Sequence, residues 1–316
     1  MALRIIRKSS SQSQVELIKG SGEGKPAFSL IVFIDSAASF EAFKVLLADP
    51  ALQQAEVLVY KCHSYSEQIR SQLPALQQTT KLINESKPAS WSLRLRTGIQ
   101  EASSDICLCL PFLPEASILP LLSELVGALQ QDPSLGMAGP ALVDQAGAVI
   151  AAGQDVAASL PAHVLAFDGQ QQEYPPAPLL YLYAGLPLGL WQKLATAPLQ
   201  MPGVPLPLAA IRREAYLSLS WADQEWSMPW LAQDLALGLR QKQYRLAVVP
   251  GSLSLSPAEA AWLETEAMPE GFAEKWQPVL RQVVFELYRN HGWQQAGTRF
   301  HDPVAPAHIQ AYLHKG

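Results

Sequence analysis

Trp221, Trp226 and Trp230 lie close together, and aromatic rings stack on the apolar C–H faces of sugars, so this cluster is a candidate glycan contact. Core packing is the competing account, because Trp is usually well buried. His291, His301, His308 and His314 fall in the last 26 residues at spacings of 10, 7 and 6. Zinc sites use short paired spacings, so this run reads as a solvated tail and no metal site is expected. The stretch Gly20-Ser-Gly-Glu-Gly24 precedes the first apolar run, whereas a loop that cradles phosphate must follow a strand, and it reads as a linker. Ser, His and Asp are all present, yet no G-x-S-x-G elbow anchors a hydrolase triad. Cys107 and Cys109 alternate in an apolar run, as small buried hydrophobes do, and with Cys62 they make an odd total; no disulfide framework is expected.

These residues need elements to position them. Phe28-Ser-Leu-Ile-Val-Phe-Ile34 reads as a buried parallel strand, closed by Asp35-Ser36 as a helix cap. A helix over 40–47, a strand Ala55-Glu-Val-Leu-Val-Tyr60, a weak strand Lys81-Leu-Ile83, a helix over 93–102 and a strand Asp105-Ile-Cys-Leu-Cys-Leu110 follow. Such alternation implies a mainly parallel sheet covered by helices, with ligands beyond the carboxyl ends of its strands. Ile118, Leu121, Leu122, Leu125, Val126 and Leu129 mark one apolar helix face, and Asp132-Pro133 stops it. A short strand over 136–143, a turn Asp144-Gln-Ala-Gly147, a helix over 231–243 and a strand over 244–250 come next. Phe272, Trp276, Val279, Leu280, Val283, Val284, Leu287 and Tyr288 keep helical spacing in a C-terminal extension.

Composition narrows the classes. Of 316 residues 49 % are apolar and 16 % charged, with a formal charge of −5 and no basic run, which excludes disorder and gives no nucleic-acid surface. The basic start lacks the apolar run of a signal peptide, so a cytoplasmic protein is expected. Segment 174–211 holds eight prolines and one charge, Lys193. Its prolines break any membrane-spanning helix; left exposed, it would form an interface for a protein partner or a membrane surface, making the protein peripheral to the membrane. The alternative is a covering loop packed on the sheet.

Three stretches, in this order, resemble family-2 glycosyltransferases of the GT-A fold over about 28–254. They are Asp132-Pro-Ser-Leu-Gly-Met-Ala-Gly-Pro140 with Asp144-Gln-Ala-Gly147 and Gly153, then Ile211-Arg-Arg-Glu-Ala-Tyr216, then Asp234-Leu235 with Gln243-Tyr-Arg-Leu-Ala-Val-Val-Pro250. The resemblance implies a polar N-terminal arm at 1–27, a GT-A domain at 28–255 (α/β, Rossmann-like) and a helical C-terminal extension at 256–316. It also implies a nucleotide sugar and a glycan as partners, with nucleotide contacts at Asp35, Ser36, Lys61, Arg94 and Arg96.

Three departures from the family pattern point the same way. At the D-x-D position, whose carboxylates hold a divalent cation against the diphosphate, stand Pro111, Phe112 and Leu113. The base-recognising Asp after the second strand gives way to Lys61. Ungapped alignment places Ala232 at the general-base position, and a two-residue slip would restore Asp234 as the catalytic base. The expectation is a glycosyltransferase-like protein of a bacterial-type glycan or polysaccharide pathway, with catalysis absent or much reduced, no cofactor, and a role in glycan or protein binding. The alternatives are a metal-independent inverting transferase, in which Lys61, Arg94 or Arg96 offsets the diphosphate charge, and a structural subunit that uses 174–211 as its interface.

Overall fold

The computed structural model describes residues 4–8, 13–18, 25–34, 36–48, 50–61, 80–85, 89–113, 118–156, 179–220, 225–263, 268–269, 271–272, 274–276, 294–296 and 299–301. Its strands are β1 (Arg4–Lys8), β2 (Ser13–Ile18), β3 (Phe28–Ile34), β4 (Ala55–Lys61), β5 (Thr80–Glu85), β6 (Ile106–Leu110), β7 (Leu135–Val143), β8 (Val149–Ala151), β9 (Gln154–Val156), β10 (Leu179–Tyr181), β11 (Leu199–Gln200), β12 (Ala209–Arg212), β13 (Arg245–Ser254), β14 (Gln294–Ala296) and β15 (Arg299–His301). The helices are α1 (Ala37–Leu47), α2 (Trp91–Glu101), α3 (Leu119–Gln131), α4 (Leu188–Leu194), α5 (Arg213–Leu217), α6 (Met228–Gln241) and α7 (Pro257–Ala260).

One 11-stranded sheet runs β1-β2-β5-β4-β3-β6-β12-β7-β13-β11, with β8 paired to β7 off that path. Strands β3 to β6 are parallel, as the crossover helices demand, and β13 is parallel to β7. Strand β12 enters antiparallel between β6 and β7, which makes the sheet mixed. The mainly parallel α/β architecture expected from the sequence is therefore present.

Period-two alternation divides the core between the sheet's two faces. Leu30, Val32 and Ile34 pack with Phe40 and Phe43 of α1 and Leu122 and Leu125 of α3. Ile31 and Phe33 pack with Leu95 and Ile99 of α2, Tyr216 of α5 and Leu235 of α6. Cys107 and Cys109 lie on this second face and are buried, as expected.

Two expectations about the ends are corrected. Residues 4–8 and 13–18 are not a polar arm: β1 and β2 form an antiparallel hairpin that extends the sheet beyond β5. Val15 and Leu17 alternate with polar residues, a strand signal within the stretch expected as a polar arm, and Val15 is completely buried. The C-terminal extension is not wholly helical, because β14 and β15 pair as a small separate hairpin. The helical run expected beyond Trp276 lies outside the described residues.

The 174–211 segment is a cover, not an exposed patch, over its described part, 179–211. Leu182, Leu186, Trp191, Val204, Leu206 and Leu208 are buried in the core. The Trp191 indole donates to the Pro250 carbonyl at 3.2 Å. Within 179–211 these side chains are taken into the core instead of forming an exposed patch.

Buried polar contacts fix the joints. At the amino edge the Glu56 carboxylate pairs with Lys81 at 2.6 Å and accepts from Ser29 Oγ at 2.6 Å and Ser103 N at 2.7 Å, tying β3, β4, β5 and the end of α2 together. Arg212 donates to the carbonyls of Leu129, Asp132 and Leu135, and Arg213 to those of Ile99 and Gln100. Two adjacent guanidinium groups thus cap the C-termini of α3 and α2, where carbonyls lack partners and the dipole favours a cation.

Candidate functional site

The parallel strands β3, β4, β5 and β6 end along one edge, the place where α/β sheets take ligands. Here that edge is lined by rings. Phe33 and Tyr60 stack at 4.9 Å and are both buried. Trp91, the first residue of α2, meets Phe33 edge-on at 4.8 Å, Trp262 meets Trp91 at 5.3 Å, and Phe112 meets Trp262 at 5.9 Å. Trp262 belongs to the short 3-10 turn Ala261–Leu263 that follows α7, so the C-terminal extension contributes a ring to this edge. Tyr181 holds that turn, its hydroxyl donating to the Leu263 carbonyl at 2.7 Å.

The position after β6 explains the crevice. Pro111 and Leu113 are buried and Phe112 is half-buried; none offers an oxygen ligand where the family resemblance puts carboxylates. Among the described residues no group of three His, Cys, Asp or Glu side chains could hold a metal ion.

Arg94 stands on the first turn of α2 and is fixed from two sides. Its Nε and a terminal nitrogen donate to both oxygens of Glu85, at 2.7 to 3.1 Å, and its guanidinium lies 5.3 Å from the Trp91 ring centre and 5.9 Å from that of Phe33. The Tyr60 hydroxyl donates to the Arg94 carbonyl. Burial, and next the Glu85 charge, raise the Tyr60 hydroxyl well above its usual range, so it is a fixed donor and not an acid. Arg94 was expected to meet a diphosphate, but its charge is already matched by Glu85. Arg96 is half-buried, and its charge acts on the buried Tyr216. Ser36 caps α1: its hydroxyl accepts from Ser39 N at 3.1 Å in a reciprocal box that satisfies the helix start. Lys61 ends β4, level with Ile34 and Asn84, but its side chain lies outside the described residues, as does Asp35.

Asp234, expected as the catalytic base under a register slip, is 4 % exposed and is bound by the C-terminal segment. Lys275 Nζ lies 2.7 and 2.9 Å from its two oxygens, and the Trp276 indole donates to Oδ1 at 2.6 Å. The carboxylate lines a cavity of about 210 Å³ with Ser220, Gly238, Gln241 and Lys242. Because α6 runs from the carboxyl edge toward the start of β13, Gln241 and Lys242 place this cavity toward the amino edge, away from the aromatic crevice. Ala232, at the ungapped base position, is fully buried.

Two members of the tryptophan cluster lie in the core. Trp230 is fully buried and Trp226 nearly so, and both meet Phe272 edge-on, at 4.8 and 5.6 Å. Neither ring offers a face to a sugar; Trp221 lies outside the described residues. A buried pair beside them joins β9 to α6: Gln154 Nε2 donates to Gln233 Oε1 at 3.1 Å and to the Pro229 carbonyl at 3.3 Å.

Sequence reasoning missed Glu85, Trp91, Trp262 and Lys275, and placed Trp276 only on an apolar helix face. Trp91 after Ser90 carried a readable signal, a helix N-cap followed by an aromatic at the mouth of a strand-to-helix turn. Trp262 and Lys275 carried none, because their partners are 150 and 41 residues away.

No protein-family model matches the sequence, and no curated protein sequence matches it. Solved structures match the fold. GalNAc-T7 with UDP, GalNAc and Mn2+ aligns with a TM-score of 0.54 and 14 % identity over 84 % of this chain and 50 % of that one. The mannosyltransferase PcManGT from Pyrobaculum calidifontis with GDP-Man and Mn2+ gives 0.43 and 15 % over 94 % and 73 %. Glucosyl-3-phosphoglycerate synthase from Mycobacterium tuberculosis with Mn2+, UDP and phosphoglyceric acid gives 0.41 and 15 % over 87 % and 81 %. The chain thus spans half the length of GalNAc-T7, and the likeness to that structure establishes a GT-A glycosyltransferase-like fold.

Proposed function

We propose that this is a glycosyltransferase-like protein of a glycan pathway in which transfer from a nucleotide sugar is absent or much reduced, and which acts by binding glycan or protein. The observation that carries this reading is the carboxyl edge of the sheet. Phe112 packs there on Trp262, and no carboxylate stands at the position after β6. A diphosphate leaving group needs developing charge neutralised by a cation or by unpaired donors, and Arg94 is already matched by Glu85. The engagement of Asp234 by Lys275 and Trp276 supports the same reading, since a general base must reach the acceptor hydroxyl.

The test is calorimetric titration with nucleoside diphosphates and nucleotide sugars, with and without manganese. The expected result is no binding under either condition. Binding that manganese leaves unaffected and Arg96→Ala weakens would overturn this reading in favour of a metal-independent transferase. Among the described residues no helix is long and apolar enough to cross a membrane.

A further inference from the structure

We infer that the aromatic crevice binds a neutral saccharide, with Trp91, Trp262 and Phe112 as the stacking surface and the Glu85–Arg94 pair as its hydrogen-bonding rim. This rests on the binding role proposed above and gives it a place and a ligand class. Phe33 and Tyr60 form the buried floor, whereas Trp91, Trp262 and Phe112 are half-buried. Successive rings are turned 72°, 66° and 65° from one another. The surface is therefore a series of separate faces and not one flat plate. A pyranose lays the C–H groups of one face on a single ring, so separate faces of this kind suit a saccharide.

Polarity narrows the ligand further. Arg94 and Glu85 are bound two-pronged, and the Arg94 guanidinium also rests on Trp91 and Phe33, so both groups are held in a fixed orientation. The pair has no net charge to attract a diphosphate. It still presents a planar donor group beside a carboxylate acceptor, and neighbouring sugar hydroxyls, each of which donates and accepts, match that array. A mostly apolar surface with a few fixed polar groups is the usual make-up of a small-molecule site. Trp226 and Trp230 are closed off beneath Phe272, which leaves these rings as the aromatic surface at the sheet edge among the described residues.

The experiment is titration of the full chain with maltohexaose, cellohexaose, chitohexaose and mannohexaose, followed by calorimetry and tryptophan fluorescence, with uridine and guanosine diphosphates run beside them. One of the four is expected to bind, and Trp262→Leu and Glu85→Gln are each expected to weaken it at least tenfold. Lys25→Ala, which breaks an exposed ion pair at the opposite edge, should leave binding unchanged. If Trp262→Leu proves unfolded by its thermal transition, Trp262→Phe, which keeps a smaller ring, should retain binding while Glu85→Gln loses it. Binding of none of the four, or binding indifferent to both Trp262 and Glu85, overturns the inference. Nucleotide binding overturns the proposed function instead, so the two failures are distinguishable.

Discussion

At the scale of single residues, burial decides what each charged or nucleophilic group can do. The Glu56–Lys81 pair is held at 9 % and 2 % side-chain exposure for Lys81 and Glu56, and Glu56 is also bonded by Ser29 and Ser103. Lys81→Met would leave a buried carboxylate without its counter-ion. A loss of about 3–5 kcal/mol in unfolding free energy is expected from urea titration. The two strand cysteines behave oppositely to reactive thiols. Burial pushes Cys109 up to about 12 and Cys107 higher still, from an ordinary 9.0. Both should resist a thiol reagent at pH 8 in the native protein and react on unfolding, which a native-against-denatured thiol count checks. The sign of the linked stability follows. A raised folded pKa favours the native state in full below pH 9 and loses that contribution as pH rises toward 12, so unfolding free energy should fall over that window.

Whole elements are held by residues that look catalytic or motif-like in the sequence. Ile211-Arg-Arg-Glu-Ala-Tyr216 carries part of the family resemblance, and its two arginines close the ends of α3 and α2. Arg213→Ala should cost about 1.5–3 kcal/mol, the range for hydrogen bonds to a charged group, read as a shift in the denaturation midpoint. Arg212→Lys should not restore stability at the neighbouring cap, because one ammonium cannot span the three carbonyls that the planar fork reaches. The same stretch Asp132-Pro-Ser134 serves as a joint: Arg245 pairs with Asp132 and donates to Ser134 Oγ at 2.8 Å. Hydrogen bonding from Ser134, helped by Arg245, holds the Asp132 carboxyl below its ordinary value. The residues that carry the resemblance at these places build the fold.

For the molecule as a whole, the C-terminal segment adds side chains at two places on the α/β sheet. Trp262 contributes a ring at the carboxyl edge, and Phe272, Lys275 and Trp276 pack on the outer side of α6. Phe272 is fully buried between Trp226 and Trp230, so Phe272→Ala should cost about 3–5 kcal/mol and expose enough apolar surface to bind a hydrophobic dye. A chain that stopped at Leu263 should show the same dye binding, with a lower thermal midpoint, since the face of α6 around Asp234 would lose both its counter-ion and its cover.

Sequence alone determined the elements whose patterns are local. The continuous apolar run of β3, the alternating cysteines of β6, the one-sided face of α3 and the Asp144 to Gly147 turn, where the Asp144 carboxylate accepts from Ala148 N and Gly147 adopts φ 80°, all follow from neighbours within a few residues. That Pro111, Phe112 and Leu113 offer no side-chain oxygen was legible in the same way. What only the tertiary structure decided depends on partners far along the chain. The β2 strand exists because β5, far along the chain, offers it a hydrogen-bonding edge that pairs Ser13 with Glu85 and Ile18 with Thr80. Asp234 meets Lys275, and Phe112 meets Trp262, by chain reversals that leave no periodic trace. Whether a Trp is core or contact surface turns on which neighbours cover it: the same residue type is sealed at Trp230 and half-open at Trp91, because Phe272 folds back onto one and solvent reaches the other.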